Sequence, residues 1–277
     1  MAPDDSPTHD SSAPASPASE SNAPVASDSD SPAPTIGPGD PESFWTPGAI
    51  PSATVILVRA QRPGMIETLM LKRDAGLAFA GGMWVFPGGR IDPEDLPRSD
   101  SDPMNTSGGS LEAGARVTAV RETKEEAGLI VDPSRLRRWS HWTAPPESPR
   151  RFTTAFYIGI VDTDGDQVVI DDREIREFRW MPPSDVIERH AAGELGLTPP
   201  TYITLTQLTG LDPTTELSDS VSRRSIEHFA TRFGFVAETM IAMYHGDAGY
   251  ESNDVTAAGQ RHRLTMDTPW IYERDPY

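Results

Sequence analysis

The sequence predicts an α/β fold, with helices packed around a mixed β-sheet. Three observations point there. Short β-branched runs interleave with longer segments that carry helix start and stop signals. Two of the runs lie at hairpin distance, so strand pairing is local as well as crossing. At 277 residues the chain is long enough for one large domain with extensions and a sizeable core.

The elements follow in order. Residues 1–42 are mostly Ser, Pro, Ala and Asp, with Val25 and Ile36 as their branched apolar side chains. Such a segment buries too little surface to offset chain entropy and reads as a disordered acidic tail. The fold is expected to begin near Phe44 and Trp45. Residues 53–60 (ATVILVRA) read as a buried strand, and 64–73 as its hairpin partner. Residues 84–86 are a short apolar piece that runs into Pro87-Gly88-Gly89, a turn signal. Residues 96–110 are polar, contain Pro97, Pro103, Gly108 and Gly109, and read as an inserted loop. Residues 111–127 read as a helix with Leu111, Val117 and Val120 on its apolar side and Gly128 as its stop. Residues 139–143, 152–161, 168–170 and 175–181 read as strands. Residues 184–192 read as a short helix capped by Ser184 after Pro182-Pro183. Residues 201–208 and 221–232 are further helices, and the chain from Gly246 is loop-like with extended pieces. The expected division is a tail (1–42), a core (43–195) and a partly helical C-terminal extension packed on it (196–277).

Composition excludes several chemistries. The chain has no cysteine, hence no disulfide, Cys-ligated zinc, iron–sulfur cluster or thiol nucleophile, which fits a reducing, cytoplasmic setting. No apolar run approaches the roughly 18 residues of a spanning helix. The N-terminus lacks a signal-peptide pattern, and Asp275-Pro276-Tyr277 is no peroxisomal signal. The six histidines show no metal-ligand spacing. P-loop, Gly-x-Gly-x-x-Gly and Gly-x-Ser-x-Gly patterns are missing, which removes support for kinase, Rossmann oxidoreductase and serine hydrolase readings. The net charge of -18 argues against a nucleic-acid or membrane partner. Eight of the 42 acids fall in residues 1–42, which hold no base, leaving 34 acids against all 24 bases downstream.

Among those downstream acids, Arg121-Glu122-Thr123-Lys124-Glu125-Glu126-Ala127-Gly128 is the informative stretch. Positions three and four apart share a helix face, so Glu122, Glu125 and Glu126 project together beside Arg121. Their repulsion gains nothing from local helix physics. A hard divalent cation would relieve it, because Mg²⁺ takes carboxylate oxygens, keeps several waters and binds substrate phosphates. Residue by residue, a solvated charged face is the other reading.

Thirty-two residues before Arg121 lies Gly89, within Trp84-Val85-Phe86-Pro87-Gly88-Gly89-Arg90-Ile91-Asp92. Here the chain resembles the Nudix hydrolases, whose box begins with a Gly and a Glu and ends in Arg-Glu-x-x-Glu-Glu-x-Gly. Gly89 and Arg121-Glu122-x-x-Glu125-Glu126-x-Gly128-Leu129 match. Counted forward from Gly89, the first Glu position holds Asp95, and 25 residues then precede Arg121, an excess of 18 over the family spacing. Counted back from Arg121, the same position falls on Ala113, beside Glu112. Thr123 stands where an apolar residue is usual. A box split by an inserted loop is similar to the branch that includes the peroxisomal CoA diphosphatases. Residues 69–92, Trp142-Thr143-Ala144-Pro145, Arg151-Phe152-Thr153-Thr154-Ala155-Phe156 and Pro199-Pro200-Thr201-Tyr202 resemble that branch too.

The resemblance implies a Nudix-type α/β/α sandwich around a mixed sheet. It implies hydrolysis, with Mg²⁺ or Mn²⁺, of a diphosphate joining a nucleoside to another moiety, CoA or acyl-CoA being the leading small-molecule substrate. It gives the metal to Glu122 and Glu126, makes Glu125 a ligand or water-positioning base, and has Arg121 orient the box carboxylates. Glu174, Glu177 and Asp95 are candidates for a further ligand or base. Gly88 and Gly89 would let backbone approach the phosphates. Arg151, Arg73 and Lys72 are candidates for phosphate binding, and Trp142 and Phe152 for stacking on a base; surface or core roles are the alternatives for each. The competing functions are a catalytically weak nucleotide-binding regulatory module and a diphosphatase for ADP-ribose or NADH.

Overall fold

The computed structural model describes residues 41–62, 65–97, 108–161, 167–211 and 217–276. The expected tail therefore lies outside the described residues up to position 40, as do Gly64 and residues 98–107 of the expected loop. The described chain opens on a 3-10 turn, Pro41–Phe44, whose Phe44 is buried and stacks on His228 with ring centroids 4.8 Å apart.

Strands β1 (Ile50–Arg62), β2 (Met65–Arg73), β3 (Trp84–Val85) and β4 (Gly88–Arg90) precede helix α1 (Gly108–Ala127). Then come β5 (Arg137–Thr143), β6 (Phe152–Ile160), β7 (Ile175–Met181), α2 (Pro183–Ala191), α3 (Pro199–Thr209) and α4 (Leu217–Ser222). Four more strands end the chain after β8 (Glu227–Ala230), namely β9 (Arg232–Val236), β10 (Thr239–Met243), β11 (His262–Met266) and β12 (Ile271–Arg274).

The first sheet is mixed and eight-stranded, in the order β3-β2-β1-β6-β5-β8, with β4 on β1 and β7 on β2. β1 pairs in parallel with β6 from Ile50↔Phe152 to Val58↔Ile160, while its end, from Val58↔Thr68, pairs antiparallel with β2. Beyond that contact β1 and β2 part. β3 takes over the edge of β2 at Leu71↔Val85, and β4 takes over the edge of β1 from Ser52↔Arg90 to Thr54↔Gly88. The 84–90 segment thus fills a wedge between two splayed strands, and its β4 packs against α1.

Val55, Ile56, Leu57 and Val58 are fully buried, as a strand covered on both faces requires. Alternation sorts them: Val55 and Leu57 join Ala115 and Ala119 of α1, whereas Ile56 and Val58 join Val186 of α2, Ile203 and Leu205 of α3, and Ala242 and Leu264 of the second sheet. That second sheet is antiparallel, in the order β12-β11-β10-β9. The expected helical layers on both faces of a mixed sheet are present, with a small sheet added to one of them. No described helix is long and apolar enough to cross a membrane.

Four expectations need correction. The helix starts at Gly108, inside the expected loop, and Val117 is half exposed rather than core-facing. Its buried face is made of small groups, Ala115, Thr118, Ala119 and Thr123, because α1 lies too close to its neighbours for larger ones: a Cβ on Gly114 would meet Leu96 Cδ2 at 2.7 Å. Residues 168–170 form no strand. The Val169 amide instead bonds the Ala127 carbonyl at 2.9 Å, so this stretch closes the end of α1, where Gly128 turns at φ +70°. Ser184 caps nothing: the cap position of α2 is Pro182, with no side-chain bond to the helix.

The fourth is the helix expected over 221–232. α4 stops at Ser222, and 227–230 become β8, paired in parallel with β5 from Ser140↔Glu227 to Thr143↔Ala230. Tertiary pairing at the open edge of β5 overrides local propensity. Phe229 is thereby fully buried and stacks on Trp142 with centroids 4.0 Å apart and planes 5° from parallel. Removing that buried ring, in Trp142→Ala, should lower the unfolding free energy by about 3–5 kcal/mol. Urea titration followed by circular dichroism measures it, and an unchanged midpoint would show that the ring is not part of the core.

Candidate active site

The site forms where β4 meets α1. Gly88 and Gly89 lie in a strand, not in the expected turn, and neither has a positive φ. Space selects them. A Cβ on Gly88 would come within 2.5 Å of the Ala53 carbonyl oxygen, and one on Gly89 within 2.1 Å of Glu122 Oε1. The carboxylates of α1 can therefore press against backbone. The Gly88 amide donates to Glu126 Oε2 at 2.9 Å. Glu126 is buried, with Arg73 Nη1 3.5 Å from its Oε1, and Arg73 Nη2 reaches Glu174 Oε2 at 3.0 Å.

The electrostatics are those of a crowded acid cluster. Burial pushes the Glu126 carboxyl up to about 8. The Gly88 amide and Arg73 oppose the shift, and the charges of Glu122 and Glu174 add to it. Burial also raises Glu122, against the pull of Arg121. Glu125 stays exposed.

Arg121 holds the cluster together. Nη1 donates to Glu122 Oε1 at 2.8 Å and to Glu125 Oε2 at 3.1 Å, while Nη2 donates to Asp95 Oδ2 at 2.8 Å and to the Arg90 carbonyl at 3.1 Å. Asp95, buried at the end of a 3-10 turn (Pro93–Asp95), also accepts from Thr118 Oγ1 at 2.8 Å and from the Asp92 amide at 3.1 Å. Burial pushes its carboxyl up, but these bonds outweigh it and hold it below the usual range. Counting forward from Gly89 is thus what the fold uses. Ala113 is exposed, and Glu112 faces elsewhere, bonded to Arg138 at 3.0 Å and to the Tyr157 hydroxyl at 2.7 Å. The insertion separates the halves of the box in sequence and not in space, because loop closure costs entropy only logarithmically in length.

These groups open onto a cleft of about 700 Å³. Of the residues expected from sequence, Glu122, Glu125, Glu126, Glu174, Arg73, Gly88, Gly89 and Phe152 line it. Trp142, Arg151, Glu177, Lys72, Arg121 and Asp95 are not among its described lining residues. Trp142 is in the core on Phe229, Arg151 donates from Nε to the Ala144 carbonyl at 3.1 Å, and Glu177 lies 3.9 Å from Lys72. Asp95 is a partner of Arg121 rather than a group facing the cleft. Sequence reasoning missed Arg150, Asp171 and Phe79, which do line it. Arg150 and Arg151 precede β6, where strand alternation does not apply, and only the folded chain shows that Arg150 lines the cleft. Asp171 accepts from the amides of Glu174 and Ile175, an Asx-type turn that presents Glu174.

The donor set suits a hard divalent cation. The described lining residues include six carboxylates against three arginines, so the cleft is short of positive charge. Among the described residues no group of three or more His, Asp or Glu side chains is arranged to hold a metal ion by itself. Mg²⁺ needs none, since it binds through one or two carboxylates plus waters and phosphate. Glu122 and Glu126, set against the Gly88-Gly89 backbone, fit that kind of open seat.

A pH dependence follows. An ordinary glutamate releases its proton near 4.5, whereas folded Glu126 holds it to about 8. The metal-free fold therefore binds more protons than the unfolded chain between those values, and this group's contribution to stability is lost as pH rises through that window. Thermal melts in chelator should fall more steeply across it for the native chain than for Glu126→Gln; parallel curves would refute the assignment.

Residues 49–199 match the NUDIX domain family. The acyl-coenzyme A diphosphatase NUDT19 of Xenopus laevis is 24% identical, over 70% of this chain and 74% of that protein. The putative nudix hydrolase 7 of Caenorhabditis elegans is 28% identical over 51% of this chain, which spans 55% of that relative's length. A NUDIX hydrolase structure from Alicyclobacillus acidocaldarius superposes with a TM-score of 0.50 at 24% identity, covering 64% of this chain and 97% of that one, which supports the fold. With Glu122 and Glu126 of its box set against the glycine strand, the chain belongs to the Nudix family and is a Nudix pyrophosphohydrolase.

Proposed function

We propose that the chain hydrolyses the diphosphate of CoA or acyl-CoA in a reaction that depends on Mg²⁺ or Mn²⁺. The observation that carries the metal dependence is the pair Glu122 and Glu126, held against Gly88 and Gly89 at the acid end of the cleft. Similarity to an acyl-coenzyme A diphosphatase over 70% of the chain supports the substrate class.

Each residue then has a task. Glu122 and Glu126 would hold the cation, which when bound neutralises diphosphate oxygens and lowers the pKa of its water. The Gly88 amide and Arg73 fix the direction of Glu126. Arg121 fixes Glu122 and Glu125, so that Glu125 stands at the solvent side as a further ligand or as the base that positions water. Glu174, presented by the Asp171 turn and tied to Arg73, is the candidate for a second base or ligand. A diphosphatase for ADP-ribose or NADH would use the same acid end, so the moiety beyond the diphosphate decides between the readings. Retention of Glu122, Glu125 and Glu126 on one face argues against a module that only binds.

Incubation with Mn²⁺ and CoA esters, ADP-ribose, NADH and dinucleoside polyphosphates, followed by chromatography, tests the proposal. CoA esters should be cleaved fastest, and only with metal. Glu126→Gln should lower kcat by more than about 100-fold with its fold retained. A fully active variant would remove Glu126 from the metal site, and preference for ADP-ribose would replace the substrate class.

A further inference from the structure

The cleft lining also includes groups of another kind. Phe79, in the loop between β2 and β3, is 53% exposed, unusual for so large a ring. It packs on Phe152, with centroids 5.1 Å apart and planes at 46°, and both rings line the cleft. Arg150, in the bend just before β6, lines the cleft too. Of the three cleft arginines, Arg73 and Arg150 differ in use. Arg73 is held by Glu126 and Glu174, whereas Arg150 makes no ion pair or hydrogen bond among the described residues. Two aromatic faces beside an uncommitted guanidinium match a planar base next to an anionic group.

We propose that Phe79, Phe152 and Arg150 form the nucleoside end of the cleft. The rings stack on the substrate's base, and Arg150 binds a phosphate that the nucleoside carries outside the diphosphate. This rests on the CoA reading, since CoA bears a phosphate monoester on its ribose and ADP-ribose does not. Phe79 and Arg150 are then the residues that set specificity. Phe79 does so through stacking that any adenine nucleotide shares, and Arg150 through a group that separates CoA from unphosphorylated nucleotides. Trp142, the other candidate for stacking, is committed to the core.

Titration calorimetry of the full chain with adenosine 3′,5′-bisphosphate and with AMP tests this without turnover or metal, because neither contains a diphosphate. The native chain should bind the bisphosphate more tightly than AMP. Phe79→Ala should weaken both about tenfold, and Phe79→Tyr, which keeps the ring, should restore them. Arg150→Ala should bring the bisphosphate down to the affinity of AMP and leave AMP unchanged. Unchanged binding in Phe79→Ala, equal losses for both ligands in Arg150→Ala, or no saturable binding by the native chain would each overturn the proposal. Tighter binding of pantetheine 4′-phosphate, lost in Phe79→Ala, would give the rings to the other half of the substrate and overturn it as well. If this pattern holds while CoA esters are not cleaved, only the reaction falls. If CoA esters are cleaved without the pattern, only the subsite falls.

Discussion

The Arg121 guanidinium spans a gap that the chain leaves open. On one side it holds Glu122 and Glu125 of α1, and on the other Asp95 and the Arg90 carbonyl, from the far side of a 25-residue separation. A planar donor with five N–H groups can serve several acceptors at fixed angles, which a lysine cannot. The same contacts hold Glu122 and Glu125 at the cleft while offsetting part of their repulsion. Without that cation, the burial that raises Glu122 and Glu126 would work against the helix and the glycine strand staying together. The site and the local fold thus depend on one residue that need not touch substrate.

A second constraint is the wedge between β1 and β2. Because those strands part after Val58↔Thr68, the 84–90 segment can insert and expose backbone to the helix. Gly88 and Gly89 then serve contact rather than turning, and the Gly88 amide becomes a donor to a buried carboxylate. Sheet topology and acid chemistry meet in this amide. The small face of α1, Ala115, Thr118 and Ala119, is the packing counterpart, since a bulkier face would hold the helix off the strand.

The cleft is lined by two unlike sets of groups, the carboxylates around α1 and the Phe79–Phe152 ring pair with Arg150. On the proposed reading the first set serves the diphosphate and the second the nucleoside, so that the residues governing turnover differ from those governing choice.

By itself, the sequence determined the sheet-and-helix class, the central strand, the acidic helix face and the glycine pair. These follow from periodicity and short spacing: branched residues in a run, acids at three- and four-residue intervals, two glycines together. Only the tertiary structure decided that Asp95 and not Glu112 meets Arg121, that Arg150 and not Arg151 faces the cleft, and that Trp142 belongs to the core. It also turned 227–230 into a strand and left 168–170 without one. The physical reason is common to all five. Local pattern encodes which side chains share a face, whereas which loop or edge that face meets depends on the pairing of strands distant in sequence, such as β1 with β6 and β5 with β8.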